Sequence, residues 1–244
     1  MDTVAVIAAA ALGAVGGALS GRLADAVGIP RYGDGAPGHD PEDAALAPLE
    51  APTTGAQRAV LAVLGALGLG ALAAGIGDGE VLVLFGALFL AFLAAMTVDL
   101  QYLRLPNLFT WPAAAVAFAG AAALSARLDV PFTGAWVGAL AYAGFLFATR
   151  VGYQLLRGRE GMGLGDVKLA VSLGASAGWL GGVLVDPASI GALRLVIFAA
   201  LLGNLLGAVG GLLLLRKFDR EFPFGPALVA GWTVVVAAAD NLVS

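Results

Sequence analysis

The sequence has no cysteine and a single histidine, His39, among 244 residues. Disulfides, thiol nucleophiles and Cys/His metal clusters are excluded, because each needs side chains the chain lacks. A Ser-His-Asp triad would have to use His39, which lies in the Gly/Pro-rich stretch GDGAPGHDPED with no nucleophile turn nearby. Charge is also scarce: 12% of residues are charged, about half the roughly 25% usual in soluble domains. No basic stripe interleaved with aromatics speaks for nucleic acid, and no solenoid-like repeat is visible. What remains is apolar: 60% of residues are hydrophobic and the mean hydropathy is +0.92. These values describe a polytopic membrane protein whose outer face meets the lipid bilayer.

Runs of mostly apolar residues long enough to cross hydrocarbon lie near 3–25, 58–76, 81–98, 109–125, 133–151, 167–185, 190–215 and 225–243. They are continuous and not alternating, so they predict helices and exclude a barrel. The expected fold is an all-α membrane bundle of about eight transmembrane helices, a single membrane-embedded domain over 1–244. The apolar amino terminus lacks the basic segment of a secretory signal, so it reads as a retained first helix.

Basic residues collect at cytoplasmic helix ends. With the amino terminus outside, Arg22, Arg31, Arg58, Arg104, Arg150, Arg157, Arg159, Lys168, Arg216, Lys217 and Arg220 fall on the cytoplasmic side, and Arg127 and Arg194 outside. An odd error in the number of spans would scramble that partition. Both termini are therefore expected outside. Residues 26–57, with Asp34, Asp40, Glu42, Asp43 and Glu50, read as a short acidic cytoplasmic loop, either a solvated linker or a docking surface for a basic segment. Small-residue pairs at i, i+4 spacing (Gly13 with Gly17, Gly17 with Gly21, Gly134 with Gly138, Gly203 with Gly207) predict close helix packing. Asn204, in mid-span, predicts an interhelical hydrogen bond.

Two acids stand out. Asp99 follows the third run and Asp166 opens the sixth, so the chain crosses twice between them and returns to one side. Carboxylates sharing a site do not both ionise easily; one keeps a proton while the other can act as base toward water, the arrangement of an aspartic protease. Helix-end fields favour the negative charge on Asp166 at a helix start and the proton on Asp99 at a helix end. Gly161, Gly163 and Gly165 let the backbone before Asp166 approach an extended substrate, but the spacing is not that of a phosphate loop. Lys168, two residues from Asp166, does not share its helical face and is expected at the interface or against a neighbouring loop. Intramembrane acids also serve proton relays, so an ion-coupled transporter is a competing class; it predicts midplane acids and inverted repeats, which the sequence does not display. A catalytically silent assembly scaffold is the other competitor.

Three segments resemble the type IV prepilin peptidases, the leader peptidase family of GxGD aspartyl membrane proteases. VDLQYLRLPNLFTWP carries Asp99, Pro106 and Asn107; GMGLGDVKLA carries Gly161, Gly163, Gly165, Asp166 and Lys168; FPFGPALVAG carries Pro223, Phe224, Gly225 and Pro226. The resemblance implies a catalytic pair of Asp99 and Asp166, with no metal in the proteolytic step. It also implies prepilin or pseudopilin substrates cleaved at the cytoplasmic face of the inner membrane, and a role in type IV pilus assembly or protein secretion. An archaeal-type preflagellin peptidase is the nearest rival. Many family members also methylate the new amino terminus with S-adenosylmethionine and carry a Cys-bearing zinc domain with two CxxC pairs. This chain has no such domain, and GALSGRLADAVGIPRY only loosely echoes the family's amino-terminal segment, with Gly17, Ser20 and Arg31 in comparable places. The resemblance thus extends to proteolysis more fully than to methylation.

Overall fold

The computed structural model describes residues 3–26, 53–102, 105–158, 162–215 and 223–243. These form helices α1 (Thr3–Ala26), α2 (Gly55–Gly75), α3 (Gly79–Tyr102), α4 (Asn107–Leu128), α5 (Thr133–Arg157), α6 (Leu164–Leu184), α7 (Ala188–Leu215), α8 (Gly225–Ala237) and α9 (Ala239–Val243), with no strand among the described residues. Seven of them, α1 to α7, are long and apolar enough to cross a membrane. The protein is an all-α, polytopic membrane bundle.

The expected eighth span at 225–243 is corrected by the structure. It breaks at Ala238 into the 13 residues of α8 and the five of α9. At 1.5 Å per residue α8 is about 20 Å long, short of the roughly 30 Å hydrocarbon thickness. Two other boundaries move in a way that matters. Helix α3 continues past its apolar run, so Asp99 lies inside its last turn, and α5 continues past its run to Arg157, so Arg150 lies well before the end of its helix. Helices persist through such polar ends because each added residue contributes a backbone hydrogen bond once the helix is nucleated.

Lipid offers no hydrophobic drive for one apolar helix to leave it for another, so association depends on close packing and buried polar links. Glycine supplies the first. A Cβ on Gly138 would lie 2.2 Å from the Gly174 carbonyl oxygen, and one on Gly178 would lie 2.5 Å from that of Gly134, so α5 and α6 touch backbone to backbone. Gly13 and Gly65 do the same for α1 and α2, and Gly181 and Gly191 for α6 and α7. Buried indoles supply the second. Trp179 donates to Ser125 Oγ at 2.8 Å and Trp232 to Ser176 Oγ at 3.0 Å, joining α6 to α4 and α8 to α6. Phe85 stacks on Trp232 at 5.7 Å and Phe92 meets it edge-on at 5.1 Å, anchoring α3 to α8. Asn204 departs from expectation: its amide donates to the Ala200 carbonyl of its own helix and not across helices. The backbone acceptor one turn back is always within reach of a short amide, whereas a partner helix is not.

Candidate active site

Helices α3, α4, α6 and α8 bring together ends that are distant in sequence. Asp99, in the last turn of α3, is buried, and its Oδ2 accepts the Gly225 N–H at 3.0 Å. That donor exists because the first N–H groups of a helix have no intrahelical acceptor. Gly225 opens α8, and Pro226 after it is tolerated because the missing N–H falls where none is needed. A Cβ on Gly225 would sit 2.9 Å from Asp99 Oδ2, so glycine is required for the two to meet.

Asp166 is buried on the first turn of α6, with its Oδ2 beside Gly163, the residue capping that helix. Asp166 also interacts electrostatically with Asp99 and with Arg150. Both carboxylates therefore face a helix amino terminus, α8 for Asp99 and α6 for Asp166. The contrast in helix-end fields expected from each acid's own helix is reduced accordingly.

The intervening motif residues close around this pair. Leu105 is buried between Gly165, whose Cβ would lie 2.7 Å from its own, and Gly225, whose Cβ would lie 3.4 Å from its Cδ1. Asn107 opens α4 and accepts from Lys168 Nζ at 2.8 Å, so the first and second motif segments are tied by a side-chain bond on the rim of the site. Pro106 precedes Asn107 at the N-cap of α4. Phe224 packs on Gly207 of α7, and with the half-buried Pro223 it leads into α8. Gly161 lies outside the described residues, as does most of the acidic stretch expected at 26–57.

Sequence reasoning used Arg150 only as a marker of sidedness. In the structure it donates to the Met162 carbonyl and so holds the turn that leads to Asp166. Its signal was a cation inside an expected span, which is costly unless used. Leu105 was also missed and has no sequence signal beyond its place before Pro106. Among the described residues, three buried side-chain oxygens have no hydrogen-bond partner, on Gln101, Thr110 and Asp166. All three belong to the helix ends around the two acids, where unsatisfied polar atoms are more often functional than accidental. No group of three or more His, Cys, Asp or Glu side chains able to hold a metal occurs among the described residues.

The chain is similar to proteins named prepilin leader peptidase/N-methyltransferase. One from Burkholderia pseudomallei (strain K96243) is 36% identical over 167 residues, 68% of this chain and 50% of the relative. One from Neisseria gonorrhoeae is 37% identical over 159 residues, 62% and 48% of the two chains. One from Pseudomonas aeruginosa is 32% identical over 150 residues, 59% and 46%. The chain thus spans about half the length of the curated relatives it matches. No solved structure matches it. The model of the type IV leader peptidase family matches residues 87–214, a segment that contains Asp99, Leu105, Gly165 and Asp166, and on that match the chain belongs to the type IV leader peptidase family.

Proposed function

We propose that the chain is an aspartyl endopeptidase that removes the short leader from type IV prepilins or pseudopilins. The observation that carries this reading is the meeting of two buried, electrostatically coupled carboxyl groups, Asp99 and Asp166, each at a helix start, with Asp99 held there by the Gly225 N–H. With one proton shared between them, the protonated carboxyl polarises the scissile carbonyl while the ionised one takes a proton from water. The water oxygen bonds to the carbonyl carbon. As the resulting tetrahedral species collapses, the C–N bond breaks and the proton passes to the leaving amine. Gly163 and Gly225 keep the carboxyl groups oriented without adding side chains where the substrate backbone must lie.

Family membership and the basic-residue partition support placing this chemistry at the cytoplasmic face of the inner membrane, with the amino terminus outside; a carboxyl terminus outside as well would need α8 and α9 together to complete an eighth crossing. On the same reading 1–244 acts as one peptidase domain, with 26–57 as its loop. Methylation would require a place for S-adenosylmethionine, a charged sulfonium amino acid. Two surface hollows, one lined by Val60, Val63 and Leu64 and one by Phe198, Leu201, Leu205 and Val234, offer apolar walls that do not fit it. No step is assigned to that group.

Co-expression with a pilin-like substrate from the same genome tests the proposal. Wild type is expected to convert precursor to mature pilin, and Asp166→Asn to leave it full length while remaining membrane-inserted and folded. Processing by that variant would overturn the reading.

A further inference from the structure

The last turn of α3 is held from two sides, and only one of those contacts joins two of the segments that resemble the leader peptidases. Asp99 faces α8 through Gly225. Thr97 and Gln101 are four residues apart, so they share a face, and each is about 200° around the helix from Asp99. That opposite face is bound to α1: Thr97 Oγ1 pairs with Ser20 Oγ at 3.1 Å, and Gln101 Nε2 donates to Asp25 Oδ1 at 3.3 Å. Asp25 is itself oriented by the Thr53 N–H at 2.9 Å, the Thr53 hydroxyl at 2.8 Å and Arg58 Nη2 at 3.3 Å. Arg58 Nε also donates to Thr53 Oγ1 at 3.0 Å, so α1, the start of α2 and the end of α3 form one polar cluster. Asp25, Thr53 and Arg58 all precede the segment matched by the family model.

Gln101 is 8% exposed, and its amide cannot turn over without setting its oxygen against the Asp25 carboxylate. Its Oε1 is therefore left buried without a partner among the described residues. A leucine there would leave no such atom, so stability alone does not account for glutamine at this place. We infer that the Asp25–Gln101 bond, backed by Ser20–Thr97, is a positioning clip that sets the rotation of the final turn of α3 and thereby presents Asp99 to Asp166. Gln101 and Asp25 are positioning residues, and α1 is a working part of the site.

The inference rests on the peptidase reading, and its test separates the two. The proteins to compare, reconstituted in lipid vesicles with a prepilin-leader peptide, are wild type, Gln101→Leu, Gln101→Glu and the exchange pair Asp25→Asn with Gln101→Glu. Gln101→Leu is expected to lower kcat about tenfold with KM within about twofold, without lowering the unfolding midpoint. Gln101→Glu, a carboxylate beside a carboxylate, is expected to lose more, and the exchange pair to recover to within about threefold of wild type. Wild-type kcat in Gln101→Leu, a loss that follows a lowered midpoint, or an exchange pair no better than Gln101→Glu would each overturn the clip. If folded wild type does not cleave, the peptidase reading fails, and the clip is decided without activity. The absence of native cysteine lets a single Leu100→Cys spin label report the last turn alone. A mobile spectral component in Gln101→Leu that disappears in the exchange pair supports the clip; identical spectra overturn it.

Discussion

Helices α3 and α6 are buried over 72% of their most apolar stretches, whereas α1 and α2 are buried over only 28%, although α6 is less hydropathic than either of the outer two. Burial in a membrane protein is not ranked by apolarity, because lipid is as good a neighbour for leucine as another helix is. What sets α6 apart is that it has partners on several sides: Gly174 and Gly178 admit the backbone of α5, Gly181 that of α7, and Ser176 accepts the indole of Trp232 from α8. The two acids ride on the two most buried spans, so the most enclosed part of the bundle carries the candidate site. Preorganisation of that kind is what proton transfer between fixed carboxyl groups needs.

The comparison can be broken by substitutions that separate core from periphery. The largest effect is expected at the site itself: Asp99→Asn should cut leader cleavage by about 10³-fold or more with an unchanged helical circular-dichroism spectrum. Retained cleavage would mean that the central helices do not carry the chemistry. Next, Trp232→Ala removes the ring that links α8 to Phe85, Phe92 and Ser176, and should cost about 3–5 kcal/mol in reversible unfolding in bicelles. Last comes a matched pair. Gly178→Ala drives a Cβ to within 2.6 Å of the Gly138 Cα and should cost about 1–3 kcal/mol. Leu140→Ala on the exposed face of α5 should stay within about 0.5 kcal/mol. Equal costs for these two would show that contact with lipid, not helix contact, governs stability here.

Much of this was legible in the chain. Seven of the eight runs expected to cross are long apolar helices, and of the glycines expected to pack helices closely, Gly13, Gly17, Gly134, Gly138 and Gly203 meet neighbouring backbone while Gly21 and Gly207 meet the side chains of Thr53 and Phe224. Asp99 and Asp166 could be singled out because acids are costly near apolar spans and scarce in this chain. The short eighth helix was not legible, since a run of apolar residues does not reveal where Ala238 interrupts its hydrogen bonding. Nor was the inward role of Arg150, because a cation near a helix end looks the same whether it meets phosphate headgroups or a carbonyl such as that of Met162.

Composition and run length alone were enough to specify helices in lipid, because an unpaired backbone group has no other refuge in hydrocarbon. Parity of crossings was enough to bring two acids to one side. Which helices lie at the centre, that Gly225 meets Asp99 from 126 residues away, and that Asp25 holds the back of the same turn were decided only by packing. Those outcomes depend on which backbones can touch and which polar atoms then find each other, and neither is local in sequence.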